Sequence, residues 1–346
     1  MVILGIESSC DETAVALVER GEVDRILGEK IKSQIPVHRR FGGVVPELAS
    51  RNHYEAIDHL TRDLFFECAP LEPEQVSLIA YTRGPGLMGS LLVGQSFARA
   101  LSYKYHIPLI GVDHIQAHIQ SAFIEHPDLR YPLLALVVSG GHTSIYLQEK
   151  PGHSRLLSKT RDDAVGEVLD KTAKFFGLGY PGGPVLDRLA SKRAPGPYKF
   201  TPPHMSDGSA DFSFSGYKTA MINLARRKGI KPHTPDFFDL IASFLHALTD
   251  YLLAKMVHFE AKFRPPSLIV AGGVSRNSLL REKFSRRFSS SRSRLYFPSP
   301  RFCTDNASMI AWLGYDHFRL FPDQDRFDYR QNVYSRSHRE PGKPHR

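Results

Sequence analysis

One plan occurs twice in this chain, and it limits the fold more than any other feature. Residues 2–7 (VILGIE) are an apolar run, residues 8–12 (SSCDE) a tip of small and acidic side chains, and residues 13–18 a second apolar run. From residue 133 the order returns: LLALVV, then the tip SGGHT at 139–143, then a run at 144–148. Short apolar runs bounded by turn residues read as buried strands, so each copy predicts a hairpin. A hairpin repeated in both halves predicts two similar lobes facing each other across a cleft. The length of 346 residues suits two domains, each able to bury its own core.

Between the copies the pattern is α/β. Gly42-Gly43 breaks the chain and Pro46 opens a helix to about residue 66. A strand at 78–81 enters the glycine-rich turn 83–90 (RGPGLMGS), followed by a helix to about 105 and a strand at 107–112. That turn is a plausible anion site, but it lacks the lysine of a P-loop, which excludes Walker-type nucleotide binding. Residues 127–131 read as a linker. Beyond the second hairpin, helices are predicted at 162–176, from Pro184, after 213–218 and at 236–263, with 195–212 as loop. A strand at 267–271 and the pair Gly272-Gly273 lead into a helix from Asn277. In the last helix Thr304 or Asp305 would serve as N-cap. The tail 331–346 is basic and expected to be disordered.

The stretch HIQAH places His114 and His118 four residues apart, on one face of a helix. Two neutral imidazoles at that spacing can share one divalent metal; packing histidines are the plain alternative. Asp113 just ahead either caps the helix or lies near the metal. In a zinc peptidase of the HExxH type the residue after the first histidine is the catalytic glutamate; here it is Ile115, which cannot take a proton. The tip acids Asp11 and Glu12 can hold water or a metal, or form only a solvated turn. Glycines at the second tip let backbone N–H groups approach an acyl or phosphate oxygen. Cys10, Cys68 and Cys303 are odd in number and far apart, so no disulfide framework is expected and a reducing cytosol is. The net charge of +9 favours an acidic partner, nucleic acid first. Arg281, Lys283, Arg286, Arg287, Arg292 and Arg294 form a basic run that is either a solvated surface or a nucleic-acid contact. The longest wholly apolar run, 133–138, is far short of a membrane span, and no basic region precedes the first strand as in a secretory signal.

Taken in order, IESSCDET, GGVVPELASRNH, TRGPGLMGSLLVG, HIQAH, VSGGHT, DDAVGEVLDKTAKFFGLGYPGGP, FSFSGYKTA, AGGVSRNSLLR and FCTDNA resemble the tRNA threonylcarbamoyladenosine synthesis family TsaD, in its bacterial branch, over about residues 1–320. The resemblance implies the two-lobed actin-like ASKHA fold, with lobes at 1–128 and 129–330 and a helical insertion at about 160–230. It implies transfer of a threonylcarbamoyl group from threonylcarbamoyl-AMP to the adenosine that follows the anticodon, in tRNAs reading codons that begin with A. The family's metal ligands fall on His114, His118 and Asp305. Its substrate positions fall on Val137, Val138, Ser139, Gly140, Gly141, Asp170, Gly183, Asp187 and Asn277. The implied cofactor is one divalent ion, iron(II) by family precedent, with zinc or manganese also suited to two imidazoles and a carboxylate. Asp11 and Glu12 are the expected general bases, a choice made on chemistry alone. TsaB and TsaE are the implied partners, with tRNA, in the cytoplasm and away from membranes.

Overall fold

The computed structural model describes residues 1–190, 192–203, 205–322, 326–327 and 329–335. The first half contains β1 Val2–Glu7, β2 Glu12–Glu19, β3 Arg25–Ser33, α1 Ile35–His38, α2 Pro46–Glu67, β4 Leu78–Gly84, α3 Met88–Tyr105, β5 Leu109–Asp113 and α4 His114–Gln120. There follow β6 Leu133–Val138, β7 Thr143–Lys150, β8 His153–Lys159, α5 Val165–Phe175, α6 Gly182–Ala190, α7 Ser215–Lys228 and α8 Pro235–Phe263. The chain then forms β9 Ser267–Ala271, α9 Ser278–Phe288, β10 Arg294–Tyr296, α10 Pro300–Cys303 and α11 Ala307–Leu320.

The repeat is larger than the hairpin that announces it. The first sheet has the order β3-β2-β1-β4-β5 and the second β10-β9-β6-β7-β8. In each, the hairpin strands pair antiparallel (β1 with β2, β6 with β7), and the leading strand pairs parallel on its other side, β1 with β4 and β6 with β9. A third antiparallel strand and a second parallel strand complete each sheet. β3 and β8, each at one edge of its sheet, escape pattern reading. β3 (RILGEKIKS) is only partly buried along its length, so its apolar residues mark no continuous core strand.

The chain divides into two compact units. One holds residues 1–127 and takes up the chain again at Thr304; the other holds Asp128 to Cys303. The second lobe therefore ends at Cys303, not at 330. The cause is α11, whose apolar face belongs to the first sheet. Met309, Ile310, Trp312 and Leu313 share a core with Ile3, Ala16, Ala80 and Val112. The approach is close enough to require glycine on both sides: a β-carbon on Gly5 would collide with the Ala307 carbonyl oxygen, and one on Gly314 with the Ala80 methyl. In the second unit α8 is the central core element. It is long and apolar enough to cross a membrane, but Phe237, Leu240, Ile241, Phe244, Leu248 and Leu252 pack into a core with Leu134, Leu136 and Val270.

The C-terminal segment also differs from expectation. The Gln331 carbonyl accepts from Gln95 and Arg99, and the Tyr334 amide donates to the Arg83 carbonyl. Residues 331–335 thus lie along β4 and α3, while 336–346 lie outside the described residues.

Candidate metal centre

β5 ends at Asp113, whose carboxylate accepts the Gln116 amide at 2.9 Å and so caps α4. The cap starts the helix at His114, so His114 and His118 project from one face, their rings edge-on with centroids 4.6 Å apart. Asp305 arrives from the turn before α11. That helix is capped by neither Thr304 nor Asp305: the Asn306 side chain accepts the Met309 amide at 2.9 Å. Asp305 is thereby released. Its Oδ1 stands 3.1 Å from His118 Nε2 and 3.6 Å from His114 Nε2. One donor atom from each of the three lies within 4.8 Å of the others. Two neutral imidazoles and a carboxylate in this compass suit one borderline divalent ion and leave open positions, as a catalytic site needs.

Behind the cluster stands Glu7, which sequence reasoning missed. It ends β1 and is wholly buried. It accepts from the Ser9 amide at 2.5 Å and the Thr82 hydroxyl at 2.6 Å, and lies 3.1 Å from His114 Nδ1. A carboxylate can only accept, so His114 Nδ1 keeps a proton toward Glu7, and Nε2, beside Asp305, is the nitrogen that a metal would take in place of its proton. Burial alone opposes charge on His114, yet Glu7 and Asp305 push it up to about 9. Burial likewise favours the neutral acid at Glu7, but His114 holds its carboxyl below the usual range. His118 Nδ1, in contrast, is buried without a protein partner among the described residues. The one signal for Glu7 in the sequence is an acid closing an otherwise apolar strand.

Asp11 and Glu12 sit at the tip of the first hairpin. Burial raises both carboxyls and the Asp305 charge raises them further; Glu12, repelled by Asp11 as well, goes well above the usual range. Glu12 also accepts the Ser33 hydroxyl at 3.2 Å. Beside the tip, His53 bridges the Thr13 hydroxyl (2.7 Å) and the Cys10 carbonyl (2.9 Å).

The remaining sequence-derived positions lie in the second unit. Val137 and Val138 are wholly buried in β6, so their side chains are core and fix the tip that follows. At that tip the Ser139 amide donates to the His142 carbonyl, and the Ser139 hydroxyl accepts the His142 amide. Gly140 and Gly141 are exposed, and nothing lies within 4 Å of where a β-carbon would stand on either. The first turn of α5 backs this tip at Gly166. One turn further, Asp170 accepts the Gly182 amide at 2.7 Å and so fixes the start of α6, where Gly183 stands. Asp187 accepts both the amide and hydroxyl of Ser278, and Asn277 caps α9. The basic run is partly committed: Lys283 pairs with Asp250, Arg294 with Asp128, and Arg281 donates to backbone carbonyls.

The two sheets and their connections define an actin-like ASKHA protein. HypF from T. kodakarensis matches with a TM-score of 0.63 at 12% identity, over 92% of this chain and 48% of its own. An activator of 2-hydroxyisocaproyl-CoA dehydratase from Clostridium difficile matches at 0.53 and 13%, over 93% and 97%. At such identities the likeness concerns the fold alone. The sequence goes further: residues 25–312 match the family TsaD, tRNA N6-adenosine threonylcarbamoyltransferase. A protein of that name from Caldicellulosiruptor saccharolyticus is 44% identical over 94% of both chains, and one from Syntrophus aciditrophicus 45% over 91% of both. The chain belongs to the TsaD family.

Proposed function

We propose that this chain transfers the threonylcarbamoyl group of threonylcarbamoyl-AMP to N6 of the adenosine following the anticodon, in tRNAs reading codons that begin with A. Family membership gives the enzyme class and the tRNA substrate. The observation that carries the chemistry is the convergence of His114, His118 and Asp305, with Glu7 orienting the first imidazole. A divalent ion held by those three, iron(II) by precedent or else zinc or manganese, would supply a Lewis acid for a donor oxygen.

In the reaction N6 attacks the carbamoyl carbon. A new C–N bond forms, the C–O bond to phosphate breaks, AMP leaves, and the amine gives up one proton. The amides of Gly140 and Gly141, two exposed residues at the second tip, are assigned to the developing oxyanion. Asp170 and Asp187, as carboxylates that can accept from hydroxyls, are assigned to the donor, beside Gly183 and Asn277. Asp11 and Glu12 are assigned to proton removal, because burial and repulsion move their carboxyls toward the range a general base needs. An exposed anticodon-loop base meets such a site without the cost of opening a duplex.

TsaB and TsaE belong to the reading as partners. A cavity of about 610 Å³ between α2 and α3, lined in part by Tyr54, Ile57, Leu92, Val93 and Phe97, offers an apolar face that we assign to TsaB. With such a substrate and such partners, the cytoplasm is the compartment this reading assigns. The test is incubation of the chain, TsaB and TsaE with unmodified tRNA and threonylcarbamoyl-AMP, followed by mass spectrometry of the digested nucleosides. The reading predicts threonylcarbamoyladenosine in the tRNA; donor binding without transfer contradicts it.

A further inference from the structure

The net positive charge of this chain comes from its second unit. Residues 128–303 carry 27 Lys and Arg against 14 Asp and Glu, a surplus of +13, whereas the remainder carries −4. Much of that charge is neutralised locally, as at Lys171 and Lys218 with Asp163, or Arg161 with Asp211. One group differs. Arg226, Arg227 and Lys228 in the last turn of α7, Lys192 and Arg193 after α6, and Lys231 ahead of α8 are all exposed. None of the six makes an ion pair among the described residues.

Three of these cations rest on aromatic rings rather than on acids. Arg226 lies 5.5 Å from the Phe175 ring, Lys228 5.5 Å from Tyr198 and Arg193 4.5 Å from Phe238. Those rings belong to the end of α5, the loop after α6 and the start of α8, so the three segments form one continuous face. A cation over a ring keeps its stem in place and its donors free for an anion. One basic residue would satisfy the dipole of α7; six on three segments exceed that need. The face is also near the candidate substrate positions of the same unit. Asp170 lies five residues before Phe175 on α5, about 8 Å along the helix axis at ~1.5 Å per residue.

We propose that this face, which gathers six cations from three segments near Asp170, binds the phosphate backbone of the tRNA substrate. The inference rests on the activity proposed above. It gives the RNA a docking face that positions without reading sequence.

The test measures binding of unmodified tRNA by the full chain between 50 and 200 mM KCl, with transfer followed in parallel. Arg226→Ala/Arg227→Ala/Lys228→Ala should flatten the log–log salt slope by about 2 to 3, and weaken binding at low salt at least ~10-fold. Arg286→Ala/Arg287→Ala/Arg292→Ala removes the same charge from exposed positions on α9 and the loop after it, and should leave both close to wild type. Thermal melts check that each variant folds, and Lys192→Ala/Arg193→Ala repeats the loss from a second segment. If wild type modifies tRNA while the α7 variant binds and titrates like it, the face is overturned and the activity stands. If the two triple variants lose binding equally, charge alone matters and the face is overturned. Loss of transfer only with TsaB and TsaE present, at unchanged RNA affinity, assigns the face to an acidic protein and also overturns it. A wild type that neither binds nor modifies tRNA defeats the activity and the face together.

Discussion

Replacing Glu7 by Gln keeps shape and size but changes which atoms can accept. The buried carboxylate faces three donors: the Ser9 amide, the Thr82 hydroxyl and His114 Nδ1. A glutamine has one acceptor oxygen. If that oxygen stays on the Ser9 amide, the NH₂ group faces Thr82 and His114. Thr82 can adapt, since its hydroxyl also reaches the Ile6 carbonyl at 3.4 Å. His114 has poorer choices: two donors oppose each other, its Nδ1 proton turns to the longer contact with the Ser9 hydroxyl at 3.3 Å, or the ring moves the proton to Nε2, the atom that faces Asp305. A buried donor left unmatched costs about 1–3 kcal/mol. Spent on the ligating tautomer, that is roughly 5- to 150-fold in metal affinity, which brackets the 10- to 100-fold typical when an outer-shell partner of a metal ligand is changed. The assay is equilibrium competition for zinc against a chromophoric chelator, with circular dichroism to show that the fold persists. Zinc affinity equal to wild type in a folded Glu7→Gln protein would refute the tautomer argument.

Two further predictions concern stability. Gly5→Ala should lower the urea midpoint by an amount equivalent to about 1–3 kcal/mol, because its β-carbon meets the Ala307 backbone and the strand and helix must part; an unchanged midpoint would mean that α11 is held more loosely than described. Burial lowers the His53 pKa, with the ring neutral between the Thr13 hydroxyl and the Cys10 carbonyl. The native protein then binds fewer protons than the unfolded chain, so this contribution is present above about pH 6.5 and is lost as pH falls below it. The stability difference between wild type and His53→Gln, measured by urea unfolding from pH 8 to pH 5, should therefore shrink as the solution is acidified; a constant difference contradicts the assignment.

What the residues could and could not announce follows from distance along the chain. The pairing of His114 with His118 is local and readable from helical period. Asp305 stands 187 residues later, where no spacing rule reaches, and only the family resemblance joined it to the pair. Its rival role as N-cap was equally open, because Thr304, Asp305 and Asn306 are all good caps; the register of α11 chose Asn306. Glu7 reads as the polar end of a strand, and its function appears only when β5 brings His114 beside it. The two-lobe plan was legible in the repeated hairpin, but the crossing of α11 back to the first sheet was not, since an apolar helical face does not say which sheet it will cover. Val137 and Val138 carry the family motif by position while their side chains serve the core.

The central claim is that His114, His118 and Asp305 form a metal centre on which transfer depends. The most direct measurement pairs wild type with His118→Ala, reading zinc stoichiometry and threonylcarbamoyl transfer to tRNA on the same preparations with TsaB and TsaE present. The account predicts one ion per chain and modified adenosine for wild type, and loss of both in the folded variant. Full transfer by a His118→Ala protein that holds no metal would contradict it.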